Sequence, residues 1–139
     1  MSDNVRLLRE RGGETEKITI NLGHVDLGRI DLLVQENFYS NRTDFIRSAI
    51  RSQLASHAGE LAQTIERHTL ELGLRDYSAA DLEAVRAAGE TLHLRVVGLV
   101  RLASDVTPEL ARATIASITV LGALQASAEV KRALADRIR

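Results

Sequence analysis

The sequence predicts an α+β fold in two parts: a small module of one strand and two helices, then about three strand–turn–helix repeats that form a parallel sheet. Three observations predict it. Apolar and polar residues alternate strictly over residues 17–22, apolar residues follow helical spacing over residues 25–57, and an apolar segment centred on a glycine occurs three times after residue 69. A period of two is typical of a half-buried strand, and three- or four-residue spacing is typical of an amphipathic helix.

The composition is that of a soluble globular protein. Of the 139 residues, 45% are hydrophobic and 27% are charged, and no apolar run is long enough for a membrane span. The first residues contain no apolar stretch like that of a signal peptide. There is no cysteine, which excludes disulfides, thiol catalysis and cysteine-bound zinc and fits a reducing compartment. We therefore expect a cytoplasmic protein that does not engage a membrane.

The first predicted element is a short strand that follows a charged N-terminal segment. Residues 1–16 mix charges with Gly12 and Gly13 and have no sustained periodicity, which predicts a flexible arm. Residues 17–22 alternate as a strand does, and Gly23 ends the run. One face of the strand is apolar and the other is polar. The apolar residues are Ile18, Ile20 and Leu22, and the polar residues are Lys17, Thr19 and Asn21.

Two helices are predicted after the strand. The first covers residues 25–37, and four apolar residues share one of its faces: Leu27, Ile30, Leu33 and Val34. The second begins at Arg42, because Asn41 suits an N-cap and Asp44 stands where a capping-box acid belongs. Five residues make the apolar face of this second helix: Phe45, Ile46, Ala49, Ile50 and Leu54.

Residues 58–68 form a predicted helical connector that is compatible with two arrangements. Leu61, Ala62 and Ile65 continue the helical spacing. The second helix therefore either continues through Ile65, or ends near His57 with a new helix after Gly59. In both arrangements the N-terminal domain covers residues 17–57 and the C-terminal domain covers residues 69–139.

The C-terminal domain contains three similar units. Gly73, Gly98 and Gly122 lie 25 and 24 residues apart, each within an apolar segment. Each segment leads to a residue that suits a helix N-cap: Ser78, Thr107 and Ser127. Successive strand–helix units form a parallel sheet with helices on one side. We therefore expect a short βα solenoid in which the three glycines lie in a row across the sheet and the last strand leaves an open end.

The strand and its two helices are too small to bury their apolar faces alone. A lone strand has two unpaired edges, and a two-fold dimer satisfies one edge of each strand by pairing two copies antiparallel under four helices. The residues predicted for this dimer core are Ile18, Ile20, Leu22, Ile30, Leu33, Phe45, Ile46 and Ile50. The polar face of such a two-stranded ribbon fits the major groove of double-stranded DNA.

The segments KITINL and YSNRTDFIRSAIRSQL resemble the ribbon-helix-helix repressors of the MetJ/Arc/CopG group. The resemblance covers about residues 17–57, and residues 39–47 match the family's turn and second-helix start, often written Ser-Arg-Ser-Glu-Phe-Ile-Arg. It implies an intertwined homodimer. The base contacts that it implies are Lys17, Thr19 and Asn21. The phosphate contacts that it implies are Asn41, Arg42 and Thr43, with the backbone N–H groups of Arg42 and Thr43 facing the DNA.

The charge of the chain is unusual for a DNA-binding protein. The formal net charge is −1, and the first 57 residues carry eight acidic and eight basic side chains, whereas DNA-binding domains are usually basic. A helix N-terminus binds phosphate through its free N–H groups and its dipole, without many basic residues. The near-neutral charge therefore predicts that phosphate binding depends on the helix that begins at Arg42.

No other kind of site is predicted. The four histidines, His24, His57, His68 and His93, form no close pair with metal-ligand spacing. The sequence contains no Gly-rich phosphate loop, no GxSxG and no HExxH. We therefore expect no metal, no cofactor, no catalytic residue and no enzyme activity.

The predicted function is that of a sequence-specific transcriptional regulator, in the first place a repressor. Residues 69–139 are predicted to join dimers into larger homo-oligomers through an open sheet edge or an apolar helix face. Two alternatives stay open: an antitoxin whose C-terminal part neutralises a toxin protein, and a self-assembling scaffold that associates with DNA. The operator, the regulated genes and any effector do not follow from the sequence.

Overall fold

A computed structural model describes residues 15–139 of the chain. Residues 1–14, most of the predicted arm, lie outside the described residues. The described residues divide into two compact units, residues 15–61 and residues 62–139. The described helices are α1 (His24–Gln35), α2 (Arg42–Ser56), α3 (Ala58–Arg67), α4 (Ala79–Ala87), α5 (Pro108–Thr114) and α6 (Ala128–Ala133). The described strands are β1 (Glu71–Tyr77), β2 (Leu92–Leu102) and β3 (Ile115–Gln125).

The first helix, α1, begins one residue before its predicted start and ends two residues before its predicted end. Asn37 ends it by adopting a left-handed conformation with φ 66°. The N–H of Phe38 then donates to the carbonyl of Leu33 at 3.0 Å, and the N–H of Asn37 donates to that of Val34 at 3.1 Å. These two bonds form a Schellman motif, which satisfies carbonyl groups at the end of the helix.

The second helix, α2, confirms the predicted start at Arg42 and the predicted N-cap. The Asn41 Oδ1 accepts a hydrogen bond from the N–H of Asp44 at 2.8 Å. The Asp44 carboxylate accepts from the N–H of Ser40 at 2.9 Å, one residue before the partner that a standard capping box uses. Both side chains fix the angle at which the chain enters α2.

The connector adopts the second of the two predicted arrangements. α2 ends at Ser56, His57 interrupts the helix with φ −105° and ψ 12°, and α3 begins at Ala58, one residue before Gly59. The His57 Nδ1 lies 2.7 Å from the Glu60 carboxylate, and the His57 carbonyl accepts from the N–H of Leu61 at 2.9 Å. The break is therefore confined to a single residue.

The C-terminal unit contains the predicted parallel sheet, with strand order β1-β2-β3. The three glycines are in register, Gly73 beside Gly98 and Gly98 beside Gly122, which confirms the predicted row. Each strand leads to a helix whose predicted N-cap is confirmed. The side chains of Ser78, Thr107 and Ser127 accept from the N–H groups of Asp81, Leu110 and Val130.

The core of this unit lies on one side of the sheet. Alternate residues of β2, Leu94, Val96, Val100 and Leu102, are at most 5% exposed. They pack with the buried helix residues Leu82, Leu110, Ala111 and Val130, and with Leu134 just after α6. All three helices α4, α5 and α6 therefore cover the same face of the sheet, as the repeat pattern predicts.

The predicted open end of the repeat is partly closed by the end of the chain. The N–H of Ile118 donates to the carbonyl of Arg137 at 2.9 Å, and the N–H of Arg139 donates to the carbonyl of Ile118 at 2.8 Å. The Arg137 guanidinium also donates to the carbonyls of Arg112 and Ile115. These bonds protect part of the outer edge of β3 from pairing with another strand.

Candidate nucleic-acid interface

The predicted base-contacting residues lie in the segment before α1. Lys17, Thr19 and Asn21 are all exposed. Residues 17–22 have no hydrogen-bonded strand partner within residues 15–139. The predicted partner of this segment is the same segment of a second chain, so strand pairing stays a prediction.

The apolar side of the same segment lines one large open cavity, which Lys17 and Thr43 also line although they are predicted to face DNA. This cavity of about 980 Å³ lies between residues 16–22 and the facing sides of α1 and α2. It is lined by all eight residues predicted for the dimer core: Ile18, Ile20, Leu22, Ile30, Leu33, Phe45, Ile46 and Ile50. The predicted core residues are thus brought together around an open space.

Most of these side chains are in contact with solvent in the single chain. Ile18 is 71% exposed, Ile20 is 55% exposed and Ile50 is 46% exposed. Within residues 15–61, Ile30 is the one fully buried apolar residue, at 5% exposure. One chain therefore assembles an apolar surface in this unit and leaves it uncovered.

The predicted phosphate contacts lie at the start of α2. The Asn41 side chain and carbonyl accept from the N–H groups of Asp44 and Phe45. Within the described residues, no acceptor is bound to the N–H groups of Arg42 and Thr43. These two free donors sit at the positive end of a 15-residue helix, which is the arrangement that binds a phosphate oxygen.

An ion pair that no sequence pattern predicts holds this helix start against α1. The Arg42 Nε and Nη2 donate to the two carboxylate oxygens of Asp31, each at 2.8 Å. These hydrogen bonds, assisted by the opposite charge, lower the pKa of Asp31 from its ordinary value and raise that of Arg42. The Arg42 side chain is therefore bound to α1, and its backbone is the part that can meet a phosphate. A separation of 11 residues across a turn gives no periodic signal for this pair.

An aromatic contact fixes the turn between the two helices. The rings of Tyr39 and Phe45 meet edge to face with centroids 5.0 Å apart, which is a favourable geometry for aromatic pairs. Tyr39 lies in the turn and Phe45 lies in the first turn of α2. The contact links the turn before α2 to Phe45, which lines the cavity.

We expect Asp31→Asn to weaken DNA binding about two- to fivefold, because the exposed pair orients α2 but contributes modestly. Fluorescence anisotropy with a labelled duplex measures the change. Glu36→Gln is the matched control, since the exposed Glu36 stands at the end of α1 and does not line the cavity between α1 and α2. Both variants remove one negative charge, so equal affinities for the two would contradict the positioning role.

The ion pair should also depend on pH. Because the pKa of Asp31 is lowered in the folded chain, the pair is fully formed at any pH above the ordinary pKa of an aspartate. It is lost only as the pH falls through the lowered pKa of Asp31.

Among residues 15–139, no group of three or more His, Asp or Glu side chains is arranged to hold a metal ion. Over the same range, no helix has the length and apolar character needed to cross a membrane.

A family model described as the ribbon-helix-helix transcriptional regulator family matches residues 13–131 of the chain. No curated protein and no solved structure matches it significantly. The matched range includes the candidate interface and almost all of the βα repeats. Both parts of the chain are therefore part of one family pattern.

Proposed function

Because the chain belongs to the ribbon-helix-helix transcriptional regulator family, we propose that two copies pair through residues 17–22 and bind operator DNA as a repressor. In this proposal the paired strands lie in the major groove of a double-stranded site. The start of α2 in each copy contacts a phosphate. Residues 62–139 contribute further association between copies.

The observation that carries this proposal is the uncovered apolar cavity in the N-terminal unit. α2 contains no buried residue and α1 contains only Ile30, although helices of 12 and 15 residues are marginal in water without tertiary contacts. A second copy of the strand and helices would cover the exposed Ile18, Ile20 and Ile50. Dimer formation would then supply the core that one chain lacks.

Pairing of the apolar strand faces places the polar faces together on the outside. Lys17, Thr19 and Asn21 of both copies then form one surface that a major groove can accept. Lysine donates to guanine N7 and O6, and asparagine pairs with the N6 and N7 of adenine. Threonine can donate, accept, or contact a thymine methyl group.

Phosphate contacts at α2 would supply the register and much of the affinity. A phosphate oxygen can accept from the N–H groups of Arg42 and Thr43, and the two-fold axis provides two such sites. Since the chain has a formal net charge of −1, we expect few direct contacts by lysine or arginine. Binding should therefore depend on salt less steeply than it does for a strongly basic protein.

Repression follows from occupancy, because a protein seated in the major groove of a promoter excludes other proteins from that site. We favour this role over the antitoxin alternative, since antitoxin tails are often disordered until they bind. Residues 62–139 pack a core in a single chain, with Val100 and Ile118 completely buried.

We expect Asn21→Ala to abolish most of the preference for a specific site. Duplexes selected from a random pool by the wild-type protein give the preferred site, and mobility shift then compares it with a scrambled duplex of the same composition. Each lost bidentate contact is worth about 1–3 kcal/mol, and a dimer loses two. The ratio of specific to scrambled affinity should fall by about 100-fold.

Two further variants separate base contacts from phosphate contacts. In this proposal the Thr43 hydroxyl also donates to the phosphate, so Thr43→Ala should weaken binding to both duplexes about equally, because a phosphate contact carries no sequence information. Gln35→Ala, at an exposed position at the end of α1, should change neither affinity. A wild-type protein that enriches no sequence from the pool would favour the scaffold alternative and overturn the proposed regulator.

A further inference from the structure

The sheet of the C-terminal unit has one face that no helix covers. Residues in register on parallel strands point to the same side of the sheet and form a row across it. Two of these rows are apolar and point away from the core. We call these six residues the open face: Leu72, Val97, Leu121, Leu74, Leu99 and Ala123. Leu72 is 74% exposed, Leu121 is 59% exposed and Leu74 is 45% exposed.

Polar residues that frame the open face are already paired within their own chain. At one end, Arg101 lies 3.5 Å from the Asp76 carboxylate and donates to the Gln125 Oε1 at 3.2 Å. At the other end, Arg95 donates to the carbonyl of His68 at 3.0 Å. Of the charges in this frame, those of Arg101 and Asp76 compensate each other and Arg95 is bound to a carbonyl group, so the frame has no strong net charge that would attract nucleic acid. Such a frame is compatible with contact between the open faces of two copies.

Parallel sheets occur almost only with both faces covered. We propose that the open face is covered by the open face of a second copy of this chain, sheet against sheet. Sheets packed in this way lie about 10 Å apart, and their side chains interdigitate. The contact would bury Leu72, Leu74 and Leu121 together with the half-buried Val97 and Leu99.

The size of the open face favours a second copy over a free partner. With strands about 4.8 Å apart and a rise of about 3.3 Å per residue, six positions cover on the order of 200 Å² of the sheet. Stable interfaces between free proteins bury about 800 Å² on each partner. A contact of this size needs support from another interface, which raises the effective concentration of the partner. The inference therefore rests on the proposed dimer, which provides that support only for another copy of this chain.

The cysteine-free sequence allows a direct cross-linking test on the full chain. Val97 lies on the middle strand, so any face-to-face arrangement brings Val97→Cys of two copies close together. We expect a short bismaleimide to link Val97→Cys into covalent dimers about tenfold faster than Ala80→Cys, at an exposed position of α4 on the opposite side. Adding Leu121→Lys to Val97→Cys should slow the reaction about tenfold, because a lysine would be buried in an apolar contact. Adding Ala80→Lys should leave the rate unchanged.

Sedimentation of the same samples distinguishes this inference from the proposed dimer. A wild-type chain that sediments as a dimer, with equal slow cross-linking of Val97→Cys and Ala80→Cys, would overturn the sheet contact and leave the ribbon dimer intact. A wild-type chain that is monomeric before cross-linking would contradict the ribbon dimer, and rapid linking of its Val97→Cys variant would then also overturn the inference that the sheet contact depends on that dimer. Rapid linking that Leu121→Lys does not slow would also overturn the proposed surface.

Discussion

We expect Gly98→Ala to prevent stable folding of the C-terminal unit. Gly98 has φ +139°, a conformation that residues with a side chain rarely adopt. A Cβ atom at this position would overlap the carbonyl oxygen of Gly73 and come within 3.0 Å of its carbonyl carbon. Both atoms belong to the hydrogen-bonded backbone of β1, so they cannot move away without breaking the ladder.

The expected loss is comparable with the stability of the unit. The backbone conformation alone costs an alanine about 1–3 kcal/mol, and the overlap raises the total above about 4 kcal/mol. A unit of this size has a free energy of unfolding on the order of 5–10 kcal/mol. Urea denaturation followed by circular dichroism measures the change in the full chain.

Gly73→Ala is the matched control for this substitution. Gly73 has a similar conformation, with φ +132°, but a Cβ atom there would meet nothing within 4 Å. The Gly73→Ala variant should therefore lose only the free energy that this backbone conformation costs an alanine, and it should remain folded. Gly122→Ala should behave like Gly98→Ala, because its Cβ would overlap the carbonyl oxygen of Gly98. Equal unfolding midpoints for Gly73→Ala and Gly98→Ala would show that the overlap is not what requires glycine.

The glycine row explains why the C-terminal fold was predictable from the sequence. Close approach of the neighbouring backbone excludes a side chain at Gly98 and Gly122, and all three glycines have a positive φ, so a need for glycine recurs in each repeat. The N-caps Ser78, Thr107 and Ser127 recur for the same reason, since each helix starts after its strand in the same way. Because these requirements are local and recur in each repeat, the spacing of the glycines and N-cap residues can be recognised in a single sequence.

Features that depend on contacts between distant residues were not predictable. The pair between Asp31 and Arg42 crosses a turn and follows no helical or strand period. Closure of the β3 edge by residues 137–139 depends on backbone hydrogen bonds, which any residue can make. The break at His57 involves one residue between two helical patterns, and the apolar spacing is the same with or without it.

The polar and apolar faces of the strand segment, and the apolar faces of α1 and α2, could be predicted from the sequence. Alternation over residues 17–22 separates the polar and apolar sides, and helical spacing selects the residues of α1 and α2 that line the cavity. Which atoms of α2 are free to bind phosphate depends on the Asn41 cap and on the Asp31 pair, and no sequence pattern predicts that pair. The open face of the sheet was likewise hidden, because its apolar residues alternate with those of the core.

We expect Ile20→Glu to abolish the proposed dimer and, with it, DNA binding. Ile20 lines the cavity between the strand segment, α1 and α2, so a dimer would bury two unpaired carboxylates. Each uncompensated buried charge costs about 3–5 kcal/mol, and two raise the dissociation constant by more than about 10,000-fold. Sedimentation velocity at micromolar concentration should show the variant as a monomer. Its helical signal should fall, because α1 and α2 would lose the core that stabilises them.

Thr19→Glu places the same charge one residue away, on the predicted DNA side of the strand. Because successive side chains of a strand point to opposite faces, this variant should keep the mass and helical signal of the wild type. It should still lose DNA binding, since a carboxylate in the major groove repels the phosphates and cannot donate to a base. Substitutions at these two adjacent residues should thus affect different properties: Ile20→Glu dimer formation, and Thr19→Glu DNA binding alone. Dissociation of both variants, or of neither, would contradict the assignment of Ile20 to the dimer core and Thr19 to the DNA surface.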